Sequence, residues 1–151
     1  MIPVVQTKVS VANTKGKTIV YGNCLAACIA SMLEVPITEV PNVEVFYTLP
    51  DGDDYYWDVL EKFLKHRDYE LSTDDRFKVF HDLNFGIEKG KRLEYIEQCR
   101  NKYYLVSGKS PRGLSHITIW KNGKLKHDPH PTKEGLVTFT TFQTLEKINK
   151  L

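Results

Sequence analysis

Residues 22–33 read GNCLAACIASML, and the rest of the chain is placed around this stretch. From Cys24 to Leu33 nearly every residue is apolar and a good helix former, and Asn23 has a side chain favoured at a helix N-cap. The pattern predicts a buried helix opening at Cys24. A helix start offers unpaired N–H groups and the positive end of the macrodipole, which together favour a thiolate. Cys28 and Cys99 fall in helix interiors and lack that position. Taken alone, Cys24 reads first as a small buried hydrophobe, so the remaining residues have to decide its role.

Upstream, Val4 to Val11 is rich enough in β-branched residues for a strand, residues 13–16 read as a turn, and Thr18 to Tyr21 is short and extended. Downstream, Pro36 to Val40 suits one helical turn, and residues 51–54 form a loop whose carboxylates can cap the next helix. From Tyr55 to Leu64, Tyr56, Trp57, Leu60, Phe63 and Leu64 recur at helical spacing. Tyr69 to Leu71 and Phe77 to Phe80 read as short strands, and Lys91 to Arg100, with Leu93, Ile96 and Cys99 on one stripe, as a helix. Strands are expected at Tyr103 to Val106, His116 to Trp120 and Leu125 to Asp128, then a last helix from Phe142 to Ile148. The expectation is one α+β domain over residues 1–151, with N-terminal helices packed on a C-terminal antiparallel sheet.

Composition narrows the function classes. The 151 residues are 41% hydrophobic and 26% charged with a net charge of +2, values ordinary for a folded globular chain. Basic residues are scattered among acidic ones, which argues against a nucleic-acid face. No apolar run approaches the roughly 20 residues of a membrane span, and the N-terminus lacks the order of a secretory signal, so a cytoplasmic protein is expected. Three cysteines cannot all pair, and free thiols are the expectation.

A nucleophilic thiol needs a base within reach and a third group to orient that base. Of the five histidines, His66 and His81 sit in polar surroundings. His116 opens a strand after a Gly-rich loop, where a sheet edge can aim it into a cleft. Its partner follows from the hairpin. A three-residue loop, Lys121 to Gly123, sets Trp120 opposite Lys124 and His116 opposite Asp128, with Ile117, Ile119 and Leu125 on one apolar face. A two-residue Asn122-Gly123 turn would shift the pairing by one and set Ile117 across from Asp128. The apolar pattern selects the first register, in which cross-strand β-carbons lie about 4.5 to 5.5 Å apart. His127 then points to the other face.

Gly22-Asn23-Cys24 opening an apolar helix, a late His116 in a strand, and Asp128-Pro129 followed by Gly135 resemble the papain-like cysteine peptidase superfamily. The nearest likeness is to the peptidase domains that cut bacteriocin leader peptides. The segment HDPHPTKEGL at residues 127–136 is also similar to small cysteine-peptidase-like proteins of phages and bacteria. The resemblance implies a papain-like fold, a Cys24-His116-Asp128 triad working through an acyl-enzyme on a peptide or protein substrate, and no cofactor or metal. Such peptidases place Gln about six residues before the nucleophile as oxyanion-hole donor, whereas this chain has Thr18. The backbone N–H of Cys24 is one donor. Asn23, Thr18 and Gln6 are the candidates for the other. Leu25 also stands where the leader peptidases commonly have Gly. In the loop before His116, Arg112 is a candidate contact for an acidic or carboxylate group, and Ser115 a second substrate-binding candidate.

Other readings compete. Cys24, Cys28, His127 and His130 could form a structural zinc set. A non-catalytic binding module could keep the same shell. An acyltransferase or deamidase could use the same triad, with the acceptor pocket making the difference. The sequence does not specify an oligomeric state.

Overall fold

In a computed structural model, residues 1–12, 14–15, 18–20, 22–41, 52–81 and 89–148 are described. Residues 13, 16, 21 and 51 of the expected turn, extended segment and loop lie outside them, as do the side chains of Thr18, Asp53 and Asp54.

The apolar run forms helix α1, Cys24–Leu33, with the expected bounds. Ala26, Ala27, Cys28, Ile29 and Ala30 are fully or almost fully buried. Small residues on this helix let it lie close to the sheet, and complete burial of a side chain such as Ile29 stabilises by about 1.5–3 kcal/mol. Glu34 ends α1 in the left-handed region, its N–H bonded to Ala30 O. A single 3-10 turn, Ile37–Glu39, follows. Helix α2, Gly52–Lys65, places Tyr56, Leu60 and Leu64 against α1 and Val40.

Two short strands, β1 (Val11–Ala12) and β2 (Thr18–Val20), pair ahead of α1. Of the strand expected from Val4 to Val11 only Val11 lies in β1, because the preceding segment bonds to α1 and to the loop around Pro129 instead. The main sheet has β3 (Tyr69–Thr73), β4 (Tyr103–Lys109), β5 (Ser115–Lys121), β6 (Lys124–His127) and β7 (Thr141–Lys147). Its order is β3-β7-β4-β5-β6, antiparallel throughout. Helices α3 (Asp75–His81) and α4 (Lys89–Cys99) complete the described elements, and the class is α+β.

Period-two alternation in β4 divides the core between the two faces of the sheet. Leu105 points with Ile119 toward Cys28 of α1, while Tyr104 and Val106 pack with Phe77, Phe80 and Cys99 of α3 and α4. The helices therefore cover both faces, and β3 enters the sheet between α2 and α3, in place of helices first and strands afterwards.

Two elements differ in kind from expectation. Residues 77–80 belong to a helix, because Asp74 caps it: its Oδ1 accepts Arg76 N–H at 3.1 Å, and Phe77 and Phe80, three apart, share one buried face. Residues 142–147 belong to a strand, because β7 fills the gap between β3 and β4. Phe142, Leu145 and Ile148 have helical spacing, yet burial of Phe142 and Thr144 follows the strand period.

The β5–β6 hairpin also corrects the expected register. Lys121 pairs with Lys124 across a two-residue turn whose Asn122 and Gly123 both have positive φ, 52° and 72°. Trp120 pairs with Leu125, and a bulge then shifts the ladder to Ile119 and His127. Leu125 is 39% exposed instead of buried with the isoleucines.

Candidate active site

Helix α1 brings Cys24 to the surface of the fold, half-buried at its first residue. The first helical bond runs from Ala27 N–H to Asn23 O, so the N–H groups of residues 24–26 have no acceptor within the helix. Asn23 precedes the helix but makes no side-chain cap. Its Oδ1 accepts Thr7 and Lys8 N–H at 3.1 and 3.0 Å, and its Nδ2 donates to Thr7 Oγ1 at 2.7 Å. These bonds fasten the N-terminal segment beside the helix start and engage both ends of the Asn23 carboxamide.

His116 on β5 is buried, and its Nε2 lies 2.6 Å from Asp128 Oδ1. The pair forms without the three-residue loop, since Asp128 lies in the segment after β6, beyond the bulge. Asp128 is buried too, and it accepts the N–H of His130 and of Gly135, each at 2.8 Å. Burial opposes the charged forms of both groups and is outweighed. Bonds to Asp128 and interaction with Cys24 lift His116 to about 9, and bonds from His116, His130 and Gly135 bring Asp128 down to about 2. The thiol of Cys24 lies close enough to act on the ring's ionisation, and both residues line one small cavity. With Nε2 taken by Asp128, Nδ1 is the ring nitrogen left for the thiol.

A cleft of about 450 Å³ opens beside Cys24. Leu25, Trp57 and Ile117 supply apolar wall, while Ser107, Ser115 and Gln143 supply polar groups; no Asp, Glu, Lys or Arg lines it among the described residues. Ile117 thus shares the cleft with Cys24, where the hairpin argument had set it on the opposite face. Arg112 lines the smaller cavity instead, with Nη1 3.1 Å from Thr132 Oγ1 and 3.6 Å from Glu134 Oε2. These contacts hold the guanidinium beside residues 132–134. Gln6 lines the same cavity, but its Nε2 donates to Lys8 O at 2.6 Å. The Thr18 side chain lies outside the described residues.

The four-residue zinc set does not assemble. Cys28 is wholly buried with Sγ donating to Ile117 O at 3.6 Å, and His127 Nε2 lies 2.7 Å from Val4 O. Among the described residues, no group of three or more His, Cys, Asp or Glu is placed to hold a metal ion. Burial pushes the Cys28 thiol well up and Cys99 up to about 11.

No protein-family model, curated protein or solved structure matches this chain. Among the described residues no helix is long and apolar enough to cross a membrane. The site therefore has to be read from its own geometry. Sequence reasoning had placed His130 only among metal ligands, although its position two residues after Asp128 was a signal that it shares the same loop. Trp57 was expected simply as part of a helix face, and only the packing of α2 beside α1 brings it to the cleft.

Proposed function

We propose that this protein is a cysteine hydrolase of papain-like type that cleaves a peptide or amide bond through Cys24, His116 and Asp128. The observation that carries this reading is the juxtaposition of a half-buried thiol at a helix start with a buried imidazole whose far nitrogen is held by a buried carboxylate. A buried ion pair is also compatible with a purely structural role, but such a pair does not require a thiol at its open side.

In this reading Cys24 Sγ attacks the carbonyl carbon, a C–S bond forms, and the carbonyl π pair moves onto oxygen. His116, holding the thiol proton on Nδ1, gives it to the leaving nitrogen as the C–N bond breaks. Water then attacks the thioester while His116 takes its proton. Return of that proton to sulfur releases the acid and restores the thiol. Asp128 fixes the ring and favours its charged form throughout. The cleft's uncharged lining suits neutral side chains on the substrate.

The test is hydrolysis of a neutral N-acylated peptide amide library by wild-type protein and by Cys24→Ala. Turnover that disappears in Cys24→Ala is the expected result. Equal turnover by both, or none by wild type together with an unreactive Cys24, would overturn the reading.

A further inference from the structure

The two ring nitrogens of His130 have opposite situations. Nδ1 accepts the backbone N–H of Thr132 at 3.1 Å and lies 2.8 Å from Thr132 Oγ1, which in turn accepts from Arg112 Nη1 at 3.1 Å. A ring nitrogen that accepts an N–H carries no proton, so the neutral imidazole bears its hydrogen on Nε2. Nε2 is buried and has no hydrogen-bond partner. A buried polar group left this way is unfavourable, and a bound acceptor would remove that cost. Burial, followed by the nearby charges of Arg112 and His116, holds His130 below the usual histidine range and keeps the ring neutral.

His130 is 6% exposed and lines, with Cys24, His116 and Gln6, a cavity of about 10 Å³. That is room for about one oxygen atom. The rings of His116 and His130 meet edge to face with centroids 5.9 Å apart. Among the described ring and carboxamide N–H groups around this cavity, Gln6 Nε2 is bonded to Lys8 O, and His116 Nε2 to Asp128. His130 Nε2 is buried there with no partner at all. Gln6 Oε1, also buried and unpartnered, is an acceptor and suits a substrate N–H, not a carbonyl oxygen.

We propose that His130 Nε2–H donates to the carbonyl oxygen of the bond that Cys24 attacks, completing with the Cys24 backbone N–H the site for the developing oxyanion. Thr132 sets the tautomer, and Arg112 holds Thr132. When sulfur adds and the π pair moves to oxygen, the His130 proton stays on Nε2 and the hydrogen bond strengthens. His130 thereby takes the position for which Asn23, Thr18 and Gln6 were candidates. This inference rests on the cysteine-hydrolase reading, and two probes separate their failures.

Iodoacetamide alkylates a thiol without forming an oxyanion, whereas a neutral N-acetyl-dipeptide aldehyde forms a tetrahedral hemithioacetal. Aldehyde affinity is measured by protection of Cys24 from iodoacetamide. In His130→Phe, which keeps an aromatic ring but no donor, aldehyde affinity is expected to fall about 100-fold, the lower end of the loss from removing one oxyanion donor. The alkylation rate should stay within about twofold, since no transition-state contact of that reaction is removed. His130→Gln, which restores a side-chain N–H, should recover part of the affinity. Unchanged aldehyde affinity, or equal loss with both probes, overturns the role of His130. Wild-type Cys24 that reacts with neither probe overturns the hydrolase reading as well. Should His130→Phe fail to fold, the His130 Nε2–H resonance of wild-type protein must shift when aldehyde binds, and an unmoved signal defeats the proposal.

Discussion

His116 Nε2 stands 2.6 Å from Asp128 Oδ1, while the strand partner of His116 is Gly108 on β4 and the β5–β6 ladder ends at Ile119 and His127. The contact is therefore made by the loop after β6, not by strand register. The same carboxylate ties that loop, since Oδ1 also accepts His130 N–H and Oδ2 accepts Gly135 N–H. Orientation of the ring and closure of residues 128–135 are one structural event.

Replacing this carboxylate by a carboxamide sets an NH2 group against one or two of the three donors. Turned either way, Asn at position 128 faces Gly135 N–H or the His116 and His130 groups with hydrogens it cannot use. Asp128→Asn is expected to cost about 1–3 kcal/mol of stability and to lower turnover, with Asp128→Ala losing more activity. Denaturant unfolding and peptide hydrolysis check this together. A variant as stable and active as wild type would show that these bonds carry nothing.

Stability should depend on pH in opposite senses for the two partners. His116 is raised from 6.5 to about 9, so its contribution is complete below 6.5 and is lost as pH rises toward 9. Asp128 is lowered from 3.8 to about 2, so its contribution is complete above 3.8 and is lost as pH falls toward 2. The melting-temperature difference between wild type and Asp128→Ala should be largest between these limits. It should shrink on both sides. A difference that grows from pH 6.5 to 9 would contradict the ion pair.

The three thiols should separate by accessibility. Cys28 and Cys99 are 0% exposed and pushed up by burial, whereas Cys24 opens on the cleft. Brief iodoacetamide treatment followed by mass spectrometry should place the label on Cys24, and His116→Ala should slow that labelling about 10-fold or more. Equal labelling of all three in folded protein would remove the case for an activated thiol.

His127 should behave differently from His116. Its Nε2 bonds Val4 O and holds the N-terminal segment, so His127→Ala is expected to cost about 1 kcal/mol of stability while leaving the Cys24 labelling rate near wild type. Thermal melts and labelling rates measured side by side distinguish the two histidines. A larger rate loss in His127→Ala than in His116→Ala would exchange their roles.

Gly108 sits where β4 passes residues 137–140, and a Cβ there would overlap the Thr138 carbonyl. The obstacle is backbone and cannot swing away. Gly108→Ala is expected to destabilise by about 3 kcal/mol, at the upper end for overpacking. Since Gly108 pairs with His116, hydrolysis should fall with stability. Unchanged unfolding would mean that the 137–140 segment yields easily.

The sequence by itself determined helix α1, because its information is local: a contiguous run of apolar helix formers has one good solution wherever it packs. Cys24 at the helix start, Cys28 inside it and the amphipathic face of α2 follow from the same kind of signal. The α+β class was legible for that reason too. Asn122-Gly123 carried the signal for a two-residue turn, but the bulge that then realigns β6 depends on contacts beyond the hairpin, and the apolar alternation of β5 alone pointed to the wrong register. Residues 142–147 had both helical spacing and β-formers, and only the place between β3 and β4 decided for strand. Tertiary structure likewise decided that Asn23 binds the N-terminal segment instead of capping α1, and that His130 is buried with a free Nε2–H. Helix formation is chosen by neighbours in sequence, whereas the fate of a polar side chain is chosen by which donors and acceptors distant segments bring to it.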